Sequence, residues 1–268
     1  MKTILFDMDG TLTKPRKVIS RQMCNMLIQL SHKAKVAIVT GSGIDYIEEQ
    51  CSNLWNGLSH VNMNNFTLMP CNGTQLYHIE NGEFSEVSTV SMKEEISEST
   101  YQLLVRTILR LQSIAADDLE LLGQLQLSGN FISYRGSLLN WCPIGRSATD
   151  ADRSRFIAYD THTQIRVHLV SLLNAHLSSS PFPVKCLDLA LGGSTSIDIY
   201  PTGWDKTYAL NHVNASECIF VGDRCKGHGN DRQIYERIKE VGLGAYQVTD
   251  PAMTIKIIKE NILPNLGE

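Results

Sequence analysis

A chain of 268 residues with 43% hydrophobic and 19% charged content has the composition of a soluble globular protein, long enough for one large domain or two modest ones. Its net charge of −4 argues against a general nucleic-acid binder, and no apolar run approaches the ~20 residues needed to cross a bilayer. The opening Met-Lys-Thr-Ile-Leu-Phe is cut off at Asp7, too early for a signal peptide. Seven scattered cysteines without a Cys-x-x-Cys pair suggest neither zinc nor a disulfide framework and fit a reducing cytoplasm.

The run Lys2-Thr3-Ile4-Leu5-Phe6 reads as a short buried strand over 2–7, ending in Asp7-Met8-Asp9-Gly10-Thr11. Strand alternation puts Asp7 and Asp9 on one side and Met8 on the other. Ligands of open α/β sheets bind at such strand ends. Two like charges this close call for a cation or a shared proton, although Asp9 alone also suits a helix or turn cap. A helix follows near 20–31, with Ser20 as its N-cap and Met23, Met26, Leu27 and Leu30 at helical spacing. The strand Lys35–Val39 then runs into Thr40-Gly41-Ser42-Gly43 and a helix over Ile44–Cys51. This βαβα order predicts a parallel sheet with right-handed crossovers.

Asn81-Gly82 marks a hairpin between 75–78 and 83–85. Beyond it the pattern changes. A long helix is expected at 91–112, then strands Phe131–Arg135 and Leu138–Cys142 joined by Gly136-Ser137. A helix at 161–177 and strands at 184–190 and 194–200 complete this stretch. From Gly203 the α/β alternation returns. A helix starts near Trp204-Asp205-Lys206, the strand Cys218–Gly222 ends at Asp223, and a last helix spans 252–262. The expected fold is α/β: a Rossmann-like parallel-sheet core (1–84 and 203–268) interrupted by an α+β cap (85–202) with an antiparallel sheet and helices.

The chemistry-bearing residues gather at the predicted strand ends. A phosphate ester repels anionic nucleophiles, so its enzymes must neutralise charge and position the attacking atom. Asp7 is a candidate nucleophile able to form an acyl phosphate, and Asp9 a candidate general acid/base. Asp223 supplies a third carboxylate, and with Asp7 it suits Mg²⁺, a hard ion that takes oxygen ligands. Asn230 and Asp231 lie just downstream, where they can orient the metal's surroundings. Lys206 can pair with Asp7 and the transferring phosphoryl group. Thr40 and Ser42 offer hydroxyls to that group, or simply cap the next helix. In the cap, Phe131, Ser133 and Arg135 share one strand face, opposite Ile132 and Tyr134. Ser194, Ser196, Asp198 and Tyr200 form a polar face suited to point toward the core, while Thr195, Ile197 and Ile199 lie under the helices. Arg146 and Arg153, seven positions apart, offer guanidinium forks that suit phosphate oxygens, though ordinary surface arginines read the same way singly.

Asp-x-Asp-Gly-Thr, a second-strand hydroxyl, a lysine and a later Gly-Asp resemble the haloacid dehalogenase superfamily of phosphotransferases. The strings Phe6–Arg16, Phe131–Arg135, Pro143-Ile144-Gly145-Arg146-Ser147, Gly192–Asp198, Pro201–Lys206 and Gly229-Asn230-Asp231 resemble, in order and spacing, its eukaryotic-type phosphomannomutases, which carry a type IIB cap. The resemblance implies that Asp7 is phosphorylated. Asp9 is then the acid/base and lends its carbonyl to Mg²⁺, Asp223 is the remaining carboxylate ligand, and Lys206 binds the phosphoryl group. It implies substrate binding by Arg16, Arg135, Arg146, Arg153, Ser196 and Asp198. It further implies a hexose 1,6-bisphosphate activator, a cytoplasmic homodimer formed through the cap, and a place in mannose metabolism toward GDP-mannose. The chain departs from the family pattern in Thr40-Gly41-Ser42, in Gly222-Asp223-Arg224-Cys225, and at Arg237, where a second cation site near Tyr235–Glu240 looks compromised. The function expected is a phosphohexomutase interconverting mannose 6-phosphate and mannose 1-phosphate. A sugar-phosphate phosphatase and a non-catalytic sugar-phosphate sensor are the alternatives.

Overall fold

The computed structural model describes residues 1–57, 63–80, 82–121, 126–179 and 186–266, without the side chains of 118–121. The chain forms two compact units, Met1–Val90 with Trp204–Glu268, and Ser91–Gly203.

The first unit begins with β1 (Thr3–Phe6), α1 (Arg21–Ser31), β2 (Lys35–Val39), α2 (Ile44–Gln50), α3 (Ser52–Trp55) and β3 (Phe66–Met69). It continues through β4 (Gln75–Glu80) and β5 (Glu83–Thr89). The Asn81 half of the expected hairpin signal lies outside the described residues, but β4 and β5 pair antiparallel as it requires. Because β5 stays on this sheet, the chain leaves the first unit after Val90 rather than at 84.

The second unit holds α4 (Met92–Ile96), α5 (Glu98–Leu121), β6 (Ile132–Tyr134), β7 (Leu139–Trp141), α6 (Asp150–Thr163), α7 (Ile165–Ser178), β8 (Leu187–Gly192) and β9 (Ser196–Pro201). The chain then returns to the first unit for β10 (Cys218–Gly222), α8 (Arg232–Val241), β11 (Gly244–Gln247) and α9 (Pro251–Ile257). The start of the strand expected at 184 lies outside the described residues.

The first unit's sheet has the order β11-β10-β1-β2-β3-β4-β5. Its strands are parallel from β11 to β3 and antiparallel beyond. β1 is buried on both faces, as its unbroken apolar run demands in a parallel sheet. Ile4 and Phe6 face a layer that includes Met23, Leu27 and Leu30 of α1 and Ile255 of α9. Leu5 faces the opposite layer, with Ile234 and Ile238 of α8. Ser20 caps α1 as expected, accepting the Met23 N–H at 3.2 Å. Phe6 is level with Ile38 on one side and Val221 on the other. Asp7, Thr40 and Asp223 therefore leave the sheet at one edge. The chain runs from β1 to neighbours on both sides, so this edge is the switch point where α/β sheets bind ligands.

The second unit is an antiparallel sheet, β6-β7-β9-β8, with helices. The single helix expected at 91–112 is two helices. They break at Ser97, at φ 70, whose hydroxyl accepts the Thr100 N–H at 3.4 Å and starts the second helix. That helix continues to Leu121, past Gln112, which is buried and accepts the Trp141 indole N–H at 2.7 Å. The helix expected at 161–177 is likewise two, α6 and α7, divided at left-handed Gln164 (φ 55). Ser196, Asp198 and Tyr200 of β9 are buried like the apolar residues between them, and Asp198 lies against the bare Cα of Gly192 and accepts a hydrogen bond from the Asn140 amide.

Candidate active site

Lys206 organises the first unit's site. The helix expected from Trp204 is a 3₁₀ stretch, Lys206–His212, capped by Asp205, whose carboxylate accepts the Thr207 N–H at 2.7 Å. The loop after β3 fixes this stretch. Asn72 donates to the Trp204 carbonyl at 3.2 Å, and His212 Nε2 lies 2.7 Å from the Gly73 carbonyl. A Cβ on Gly73, which has φ 89, would stand 2.6 Å from Ala209 Cα, so only glycine permits the approach. The Lys206 ammonium, fully buried, thereby reaches the carboxylates of both Asp7 and Asp231. The other Asp231 oxygen accepts the Arg224 N–H at 3.0 Å.

Oxygens of Asp7, Asp223 and Asp231 lie within 4.8 Å of one another, and they are the one such acidic cluster among the described residues. Gly10 permits this crowding. It has φ 90, and a Cβ there would stand 2.7 Å from the Asp223 carboxyl carbon. Burial, and then the neighbouring Asp231 carboxylate, push Asp7 up to about 8 against the pull of Lys206. The same two causes raise Asp223 to about 6. Burial alone would lower Lys206, but Asp231 and Asp7 hold it above its ordinary value. The Lys206 ammonium faces Asp7 and Asp231, and the Arg224 guanidinium lies 3.7 Å from Asp223, so two cations meet three carboxylates. Asp7 Oδ2 and Asn230 Oδ1 are buried without a hydrogen-bond partner. Excess negative charge, orphaned acceptors and an all-oxygen donor set fit a hard divalent cation.

Asp9 is half-buried and separate from that cluster. Burial raises its pKa, opposed by hydrogen bonds from the Tyr46 hydroxyl (2.9 Å) and the Arg16 N–H (3.3 Å). Arg16 takes part through its backbone, while its side chain is exposed. Thr40 is buried and Ser42 half-exposed, and the Thr40 hydroxyl accepts the Ser42 N–H at 3.2 Å. The 40–43 turn is therefore held by Thr40, leaving the Ser42 hydroxyl at the surface of the same strand end. Near Tyr235–Glu240 the structure shows a helix surface carrying an Arg237–Glu240 ion pair (3.5 Å).

In the second unit, β6 and β7 and the loop after them carry Arg135 and Arg146, and α6 carries Arg153. Arg146 is held below its ordinary pKa by burial and then by the charge of Arg135, with Arg153 adding to it. These three cations therefore share one neighbourhood. Arg146 donates to the Asn140 side-chain oxygen Oδ1 at 3.1 Å, and the Asn140 side-chain amide donates to Asp198 at 2.6 Å. Arg153 donates to the carbonyls of Arg146 (2.7 Å) and Ala148 (3.3 Å) and to the Thr195 hydroxyl (2.7 Å), bracing the loop that presents Arg146. The buried pair Arg166–Asp160 (2.8 Å) ties α6 and α7 to the Gly193 and Ser196 carbonyls at the β8–β9 turn. The sequence motifs did not select Tyr46 or Asn140. Tyr46 stands four positions after Ser42, and Asn140 alternates with buried Leu139 and Trp141, but neither spacing marks a partner.

The eukaryotic phosphomannomutase family matches residues 23–264 of the chain. The phosphomannomutase of Glycine max is 34% identical over 266 residues, covering 97% of this chain and 96% of that protein. The phosphomannomutases of Drosophila melanogaster (96% of this chain, 94% of that one) and Saccharomyces cerevisiae (96% and 92%) are each 32% identical. Among solved structures, IMP-bound IMP-nucleotidase from Plasmodium falciparum aligns with a TM-score of 0.63 at 15% identity. That alignment covers 97% of this chain and 67% of the other, a likeness of fold alone.

Proposed function

This chain belongs to the eukaryotic phosphomannomutase family, and from that membership we propose that it interconverts D-mannose 6-phosphate and α-D-mannose 1-phosphate. The phosphoryl group passes through Asp7, and a hexose 1,6-bisphosphate is both intermediate and activator. The observation that carries the reading is the Lys206 ammonium fixed between Asp7 and Asp231, with the second Asp7 oxygen buried and unpartnered. Lys206 orients Asp7 and adds positive charge where a phosphoryl group must be held. Asp9 moves the proton of the sugar oxygen. Ser42 and Thr40 border the phosphoryl position from the end of β2.

Asp7, Asp223 and the Asp9 carbonyl would hold Mg²⁺, with Asn230 and Asp231 orienting its surroundings. When bound, that ion offsets the charge of the Asp7 carboxylate and the phosphoryl oxygens. Arg135 and Arg146 supply the second unit's phosphate contacts, Arg153 holds Arg146 in place, and Ser196 and Asp198 meet sugar hydroxyls. Arg16 adds a further cation beside Asp9. The same reading places the enzyme in the cytoplasm as a homodimer paired through the second unit. It also fits the net charge of −4, which disfavours a nucleic-acid partner, and the absence, among the described residues, of any helix long and apolar enough to cross a membrane.

The test is ³¹P NMR of the protein with Mg²⁺ and mannose 1-phosphate, with and without catalytic hexose 1,6-bisphosphate. Conversion to mannose 6-phosphate without free phosphate is the expected result. Stoichiometric free phosphate would show a phosphatase instead, and no turnover of any hexose phosphate would show a sensor.

A further inference from the structure

Tyr46 stands in the first turn of α2, its ring packed against the core layer that holds α1. Its phenol oxygen accepts the Arg16 backbone N–H at 3.0 Å. A hydroxyl occupied in that way as an acceptor directs its own proton elsewhere, and the acceptor in reach is Asp9 Oδ1 at 2.9 Å. The Arg16 N–H reaches the same Oδ1 at 3.3 Å. Arg16 holds φ 60, a left-handed conformation that residues bearing a Cβ rarely take, and the N–H it presents is the one shared by Tyr46 and Asp9. Both donors converge on one carboxylate oxygen. Among the described residues, Asp9 Oδ2 takes no hydrogen bond.

We propose that Tyr46 is a positioning residue that sorts the two oxygens of Asp9, anchoring Oδ1 and reserving Oδ2 for the proton exchanged with substrate. The proposal rests on the assignment of Asp9 as proton carrier. In the first half-reaction a carboxylate oxygen of Asp7 bonds to phosphorus as the bond from phosphorus to the sugar oxygen breaks. The electron pair stays on that oxygen, and the proton on Asp9 Oδ2 passes to it. In the second half-reaction the Asp9 carboxylate takes a proton from the incoming hydroxyl as phosphorus leaves Asp7. A carboxylate free to rotate would offer either oxygen and spend part of its time turned away. Anchoring Oδ1 removes that freedom without occupying the oxygen that does the work. A tyrosine present only to fill the core would not need its hydroxyl.

The leaving group separates these roles. A sugar oxygen needs a proton as it departs, whereas acetate leaving acetyl phosphate does not. Single-turnover phosphorylation of Asp7 is measured with hexose 1,6-bisphosphate and with acetyl phosphate, for the wild type, Tyr46→Phe and Asp9→Asn. For Tyr46→Phe the rate with hexose 1,6-bisphosphate falls about 10- to 100-fold with half-saturation little changed, while the rate with acetyl phosphate stays at the wild-type value. Retained acetyl phosphate reactivity also shows that the variant is folded. An equal loss with both donors, or no loss with either, would overturn the proposal. If Asp9→Asn is not selective between donors, the underlying assignment of Asp9 fails. If Asp9→Asn is selective and Tyr46→Phe is not, the Tyr46 proposal alone fails.

Discussion

Lys206→Met removes an ammonium while nearly keeping the side chain's length, and it should cost stability in a way that depends on pH. Lys206 is buried and bridges two buried carboxylates, so the variant leaves Asp7 and Asp231 without their cation. Removing one partner of a buried ion pair costs about 3–5 kcal/mol, and the low end corresponds to roughly 6–12 °C in Tm for a chain of this size. The sign of the pH dependence follows from the raised carboxylates. Asp7 near 8 and Asp223 near 6 both lie above their ordinary value of 3.8. The folded protein therefore binds more protons than the unfolded chain between these values, and its stability falls as pH rises through that window. Without the ammonium the carboxylates rise further and the fall steepens. Metal-stripped Lys206→Met, followed by circular dichroism on heating, should show its full deficit at pH 8 and a smaller one at pH 5.5. Adding Asp231→Asn should recover part of the loss at pH 8. A deficit equal at both pH values, or none at all, would refute the electrostatic account of the cluster.

Three further outcomes follow from the same geometry. Mg²⁺ competes with protons for Asp7 and Asp223, so it should raise Tm more at pH 8 than at pH 6, and calorimetry in buffers of different ionisation enthalpy should register proton release on binding. A pH-independent gain would contradict the raised carboxylates. Arg146→Ala removes a charge-assisted contact worth about 1.5–3 kcal/mol, so KM for mannose 1-phosphate should rise roughly 10- to 150-fold. Asp7 phosphorylation by acetyl phosphate should not change, and a matching loss there would place Arg146 outside substrate binding. Gly10→Ala puts a Cβ into the Asp223 carboxyl at a positive φ. Calorimetry should find Mg²⁺ affinity strongly reduced, and wild-type affinity would show that the close approach is not needed.

What the sequence makes legible is what short chain segments encode. β2 and β10 appear at their expected bounds because each is an apolar run stopped by Thr40 or Asp223. α1 appears because Ser20 caps a clear helical stripe. The breaks at Ser97 and Gln164 are hidden because neither residue is glycine or proline, although both are left-handed. β11 is missed because Gly244-Ala245-Tyr246-Gln247 is too short to show a period, and only its pairing with β10 makes it a strand. The site divides in the same way. Asp7 and Asp9 are readable because two carboxylates and a glycine stand together at a strand end. The bridge from Lys206 to Asp231 and the contact of Tyr46 with Asp9 join residues 25 and 37 positions apart, and tertiary folding alone creates them. Arg153 shows the limit of motif reading. Its spacing from Arg146 suggests a guanidinium fork for phosphate, and tertiary folding adds hydrogen bonds to the Arg146 and Ala148 carbonyls and the Thr195 hydroxyl that no motif marks.

The central claim is that the phosphoryl group rests on Asp7. The protein is incubated with Mg²⁺ and hexose 1,6-bisphosphate and quenched in acid. The acyl phosphate is then trapped by borohydride reduction and located by peptide mass spectrometry. Reduction at Asp7 alone, absent in Asp7→Asn, is the predicted result. A trapped group on another residue, or mannose 6-phosphate formed with Asp7 never modified, would contradict the account.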